Sequence, residues 1–180
     1  MQAICNANLE FLDLVARWPG SSHDATIWNS CYRNALFEHG RYRDALIIAD
    51  SGYACKSYIF TPLDEAVTPQ EQLFYESQIR TRCTIERSFG VWKRRFPALA
   101  LGLRLSVEKC FPIIQATAVL HNILRRRGEA IPPDDPELNL PAPWENILAQ
   151  GDIPAPRNPE RRENRNHLER RQLVEDYFRG

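Results

Sequence analysis

Eight of the chain's thirteen prolines crowd into residues 132 to 159, within "PPDDPELNLPAPWENILAQGDIPAPRNP". Proline locks φ, removes a backbone donor and pushes the residue before it away from helical space. Neither a helix nor an interior strand runs easily through such a stretch. The core must therefore come from residues 1–128, with 129–159 as an extended, proline-rich linker. Beyond it, "ERRENRNHLERRQLVEDYF" regains helical spacing. Residues 160–180 are expected to form a charged, solvent-exposed helix with a thin apolar edge of Leu168, Val174 and Phe178.

Within the first 128 residues the apolar spacing changes period several times. "AICNANLEFLDLVARWPG" reads as two strands with a turn near Asn6-Ala7-Asn8, the second running from Phe11 to Ala16 in loose alternation. "SSHDATIWNSCYRNALFEHG" reads as one helix, with Ser21, Ser22 or Asp24 as its cap and Gly40 after its end. A short buried strand follows at Ala45–Ala49, then a loop and one helical turn through Tyr58. Thr68, Pro69 and Glu71 form a strong helix start, with Thr68 as cap, Pro69 at the first helical position and a capping box closed by Glu71. That helix should run until Pro97, with Gly90 as a weak point. A second long helix starts near Ser106, with Pro112 delaying or kinking its opening and Val119, Leu120 and Ile123 facing the core. The order strand–strand–helix–strand–helix–helix predicts a mixed α/β domain.

The formal net charge is zero, yet the charges are segregated. Residues 80–128 hold eleven basic and two acidic side chains, whereas residues 1–79 hold five and ten. A polyanion is a natural partner for that basic block, and a solvated helix face accounts for it as well. No run is apolar enough to span a membrane, and "MQAICNANLEF" lacks the features of a signal peptide. The five cysteines are odd in number, widely spaced and without C-x2-C pairs, which predicts reduced, intracellular thiols rather than disulfides or a zinc site.

Two acids stand out against this background. Asp50 ends the buried strand in "ALIIADSGY", where the sites of open α/β sheets gather, although Asp50-Ser51-Gly52 is also a good Asx turn. Glu86 is the one acid among Arg80, Arg82, Arg87, Lys93, Arg94 and Arg95. Beside Ile85 and Phe89 its carboxylate needs either a salt bridge, for instance to Arg82, or a metal. Joined, Asp50 and Glu86 would be hard oxygen ligands for Mg²⁺ or Mn²⁺, flanked by cations that hold a phosphate backbone. Phosphodiester hydrolysis requires such a constellation.

"RWPGSSHDATIW", "LIIADSGYACKSYIFTPL", "RTRCTIERSFGVWKRRFPAL" and "AVLHNILRRRG" follow one another in this order. Together they resemble the DDE endonuclease domain of the PIF/Harbinger transposase superfamily over about residues 1–128. The resemblance implies an RNase H-like mixed sheet flanked by helices, and a nuclear, divalent-metal-dependent DNA nuclease. Asp50 then matches the family's second catalytic acid, Glu86 the third, and Asp24 a further acid of the pattern, for which helix capping is an alternative. It also implies a Myb-like DNA-binding protein as partner. The family's first aspartate, in a D-G-T-H-like motif on the opening strand, has no counterpart here. The expectation is a partial domain without its first strand, with weak metal binding and impaired cleavage.

Other residues call for plainer readings. His121 is expected to be a satisfied core histidine, and Trp18, Trp28 and Trp92 core aromatics. His23 sits beside Asp24, where capping geometry or a contact to DNA or metal would explain it. Tyr53 is the aromatic expected nearest the site. Arg125-Arg126-Arg127 suit a helix C-terminus, a phosphate contact or an import signal. Two rivals to the nuclease stand: a catalytically silent domesticated transposase that binds DNA or protein, and an unrelated α/β module whose acids form salt bridges.

Overall fold

The computed structural model describes residues 1–63, 66–133, 138 and 167–178, so most of the proline-rich linker lies outside the described residues. The architecture is mixed α/β, in two compact units. One takes Met1–Ser21 and the described residues from Cys83 to 138; the other takes Ser22–Arg82 and the described residues from 167 onward.

In the first unit, β1 (Gln2–Cys5) and β2 (Phe11–Val15) form an antiparallel hairpin. Asn6 Oδ1 accepts from the N–H groups of Asn8 and Glu10, both at 3.0 Å, which fixes the connecting turn where the sequence places it. Ile4 pairs with Asp13 and Cys5 with Phe11, so Leu12 is skipped and stands 51% exposed. This bulge explains the loose alternation: one extra residue resets the period, and Phe11 and Leu14 both reach the core. There Phe11 packs on Trp92 and Phe89, with ring centroids 5.0 and 5.6 Å away.

The long helix α5 (Val107–Arg126) covers this hairpin. Ser106 precedes it, as expected, and Pro112 does not delay its start. The expectation that Val119, Leu120 and Ile123 face the core is wrong: they are 59%, 48% and 39% exposed. The buried positions are Ala118 and His121. This helix is apolar on two faces, so counting apolar residues cannot orient it; its polar anchors do. His121 Nε2 lies 2.8 Å from the Leu9 carbonyl. Asn122 accepts from the Phe11 N–H and donates to its C=O, both at 2.8 Å, as a neighbouring strand would. The helix ends with Gly128 at φ 72°, and Glu129 N–H reaching the Leu124 carbonyl closes a Schellman motif.

The second unit opens with α1 (Asp24–Asn29) and α2 (Tyr32–Glu38), where the sequence suggested a single helix. The break falls at Cys31, which is extended and whose thiol accepts from the Asn34 N–H to begin α2. Two minimal strands follow, β3 (Ile47–Ile48) and β4 (Ile59–Phe60), paired in parallel. β3 is shorter than the Ala45–Ala49 strand expected, and no helical turn forms before Tyr58; β4, which was not expected, follows directly. Next comes α3 (Pro69–Arg95), whose later residues belong to the first unit. Its capping box forms as the sequence requires, with Glu71 N–H on Thr68 Oγ1 at 3.2 Å and Thr68 N–H on Glu71 Oε2 at 2.8 Å. Gly90 does not interrupt it, and Pro97 precedes the short α4 (Ala98–Leu101).

The C-terminal helix α6 (His167–Tyr177) is not simply a solvated helix. Val174 is buried with Leu63 and Phe74, Phe178 packs edge-on to Phe74, and only Leu168 of the expected apolar edge stays exposed. Arg170, 3% exposed, donates from Nη1 to the Thr61 and Pro62 carbonyls, each at 2.9 Å.

Two stability predictions follow from this packing. Val174→Ala should cost about 1–3 kcal/mol in urea denaturation and speed amide exchange along α6. Burial first, and then the nearby Arg95 and Arg125, hold His121 below its ordinary 6.5, despite its contact with the Leu9 carbonyl. A histidine harder to protonate in the fold than in the unfolded chain contributes stability above the unfolded value. That contribution is lost as pH falls through and below 6.5. His121→Gln should therefore flatten the acid side of the stability–pH curve between about 6.5 and 5.

Candidate functional site

Asp50 follows β3 directly. The residue before it, Ala49, is buried, and both of its backbone polar groups are held. Its N–H donates to the Phe60 carbonyl at 3.0 Å, and its C=O accepts from Gln78 Nε2, on α3, at 2.8 Å. Asp50 Oδ1 accepts from the Gly52 N–H at 2.8 Å, so the Asx turn legible in the sequence is present. Tyr53 N–H approaches the Asp50 carbonyl at 3.3 Å and closes the turn.

Asp24 reaches the same turn. It is the first residue of α1, and the cap position belongs to His23, which makes no side-chain cap bond. A Cβ placed on Gly52 would stand 2.9 Å from Asp50 Oδ1 and 3.0 Å from Asp24 Oδ2. Both oxygens thus approach one point, and their separation is at most the sum of those distances, 5.9 Å. Tyr53 completes the group: burial chiefly, then the charges of Asp24 and Asp50, push its phenol well above the ordinary 10, so it stays a neutral hydroxyl. The aromatic expected near the acids is there.

The donor set suits a hard divalent ion. Mg²⁺ keeps several waters and is commonly held by one or two carboxylates, which is what Asp24 and Asp50 supply. Gly52 leaves the space between them open, since any side chain there would crowd both oxygens. Among the described residues, however, no group of three or more His, Cys, Asp or Glu gathers as a metal-binding cluster.

The other sequence candidates are distributed along α3. Glu86 is half-buried and belongs to the first unit, whereas Asp24 and Asp50 belong to the second. Arg80 and Arg82 fall in the second unit; Arg87, Lys93, Arg94 and Arg95 fall in the first. Arg80 and Arg87 are exposed, and Arg80 contacts Glu76 one turn back at 3.8 Å. Such an exposed pair is worth little. Arg95 Nη2 is engaged by the Glu129 and Ala130 carbonyls at 3.1 and 3.0 Å, so it ties down the chain after α5. Gln78 escaped the sequence reading altogether; its only signal is a polar residue one turn after Phe74 on a helix that buries Phe74 and Ile79.

Gly52→Ala tests the convergence of the acids. The backbone there accepts alanine, and the atoms that must move are the ends of two flexible side chains. Thermal stability should change by less than about 1 kcal/mol, while a crystal or NMR structure should show the two carboxylates pushed apart.

Over residues 1–122 the chain matches the family model described as DDE superfamily endonuclease. The human protein named "Putative nuclease HARBI1" is 30% identical over 128 residues, which cover 69% of this chain and 37% of that protein. The mouse and bovine proteins of the same name match over the same length at 31% and 29%. The chain therefore spans 37% of the length of these relatives. No solved structure matches it. With that family model covering its first 122 residues, the chain belongs to the DDE superfamily endonucleases and is a homologue of the Harbinger transposase-derived nucleases.

Proposed function

We propose that this chain carries part of a transposase-derived DNA nuclease of RNase H-like fold, in which Asp24 and Asp50 hold Mg²⁺ or Mn²⁺. The observation that carries the reading is the approach of both carboxylates to Gly52. The family resemblance adds Glu86 as a further oxygen ligand, and the charge segregation adds the basic residues of α3 as phosphate contacts. A bound divalent ion would supply an activated water and stabilise the leaving oxygen of a phosphodiester. The chain's own part is to fix two carboxylates on a clamped strand end and a helix start. Tyr53 keeps its proton beside them and can donate a hydrogen bond to a phosphate oxygen. Arg80 and Arg87, exposed on α3, are placed to attract a polyanion. Nuclear localisation and a Myb-like DNA-binding partner belong to the same reading.

No D-G-T-H-like motif occurs among the 180 residues, so the family's first aspartate has no match in this chain. Cleavage by the chain alone is accordingly expected to be weak. A second reading, a catalytically silent DNA- or protein-binding module, draws on the two-acid cluster: the described residues bring together fewer acids than two-metal catalysis uses.

Metal titration followed by thermal unfolding separates them. On the nuclease reading, millimolar Mg²⁺ or Mn²⁺ raises the unfolding temperature of the wild-type chain, and Asp50→Asn and Asp24→Asn abolish the rise. A wild-type chain indifferent to both ions, with retained DNA binding, would favour the silent module. Metal-dependent plasmid nicking lost in Asp50→Asn would establish catalysis outright.

A further inference from the structure

Gln78 is 2% exposed, and its amide nitrogen donates to the Ala49 carbonyl at 2.8 Å. Ala49 is the residue immediately before Asp50. The orientation of the amide is not arbitrary: a carbonyl only accepts, so the nitrogen must face Ala49 and Oε1 must face away. There Oε1 finds no donor among the described residues. A buried acceptor without a donor costs free energy that an apolar side chain of the same length would avoid. Packing alone therefore does not account for an amide at this position; the strand end it holds does.

On the opposite side, the Ala49 N–H is taken by Phe60 on β4. Ala49, which leads into Asp50, is thus held through its N–H by a strand and through its C=O by a helix, while the Asp50 side chain is fixed by the Gly52 N–H. Asp24, by contrast, comes from α1 and does not share this clamp. The distance between the two carboxylates consequently depends on how firmly the β3 end is held.

We infer that Gln78 is a positioning residue for the Asp24–Asp50 pair: it fixes the backbone from which Asp50 meets Asp24, and through that pair it sets the affinity for a divalent cation. The second clause rests on the metal reading proposed above; the first does not.

Gln78→Met and Gln78→Leu keep the volume and remove the donor. Phe74→Leu, one turn earlier on α3 and packed with Leu63 and Val174, serves as a control that loosens the core without removing the clamp. Two readouts are compared among variants at matched stability, both on the full 180-residue chain. The first is amide hydrogen exchange at Ala49 and Gly52 in metal-free protein, by NMR. Both Gln78 variants should exchange at least about fivefold faster there than Phe74→Leu. The second is Mn²⁺ affinity, followed by the relaxation of bulk water; loss of an outer-sphere support commonly weakens metal binding by about 10–100-fold, and a drop of about tenfold is expected for both Gln78 variants and not for Phe74→Leu. Exchange at Ala49 and Gly52 no faster than in the control would overturn the positioning role. Faster exchange with unchanged Mn²⁺ affinity would keep the clamp and overturn its link to the metal. If Mn²⁺ does not bind the wild-type chain, the metal reading itself falls, and the exchange comparison alone decides whether Gln78 positions the acids.

Discussion

Two strands of two residues each cannot hold a sheet together, and the second unit depends on what is attached to their ends. β3 and β4 run parallel, so their carboxyl ends lie side by side, and both leave carbonyls beyond the ladder. Gln78 takes the one at Ala49, and Arg170 takes those at Thr61 and Pro62. The first unit repeats the device, with the Asn122 side chain pairing with both backbone groups of Phe11. In each case a side chain on a helix stands in for a missing neighbouring strand. A buried carbonyl left without a donor costs about 1–3 kcal/mol, a large fraction of the marginal stability of any small unit. Gln78 and Arg170 thus satisfy the carbonyls that strands as short as β3 and β4 leave open.

The same device locates the acids. Because the β3 end is held from outside the sheet, the chain can turn sharply at Ser51-Gly52 and leave Asp50 facing the start of α1. A longer ladder would have carried the backbone onward and delivered Asp50 elsewhere.

This also explains what the sequence could and could not disclose. Local chemistry was legible: the Asn6 turn, the Thr68–Glu71 capping box and the stop at Pro97 all depend on neighbours a few residues apart. The Leu12 bulge was visible only as loose alternation, because a bulge shifts the period without announcing itself. Contacts across long separations were not legible. Nothing local tells that Val119, Leu120 and Ile123 face outward, since His121 and Asn122 orient α5 by bonds to residues more than a hundred positions away. β4 is too short for a period, and α6 docks through Arg170, a residue type that composition assigns to the surface. Of the site, Asp50 was legible from its strand, and Asp24 only through family resemblance. Gln78 was invisible, because a polar residue on a long helix normally reads as solvated.

The structure shows the Asx turn at Asp50 that the sequence offered as the alternative to a ligand role. An Asx turn uses one oxygen of the carboxylate, the one that accepts from the Gly52 N–H, so the turn does not by itself exclude a ligand role. What a turn alone does not require is a second carboxylate within 5.9 Å. Two negative charges at such a distance repel by roughly 1–3 kcal/mol, depending on how much water screens them. Turn formation gains nothing from that repulsion, and helix α1 would be served as well by Asp24 pointing toward solvent. On the metal reading proposed above, a cation held by both oxygens would convert that repulsion into attraction and give both acids a role.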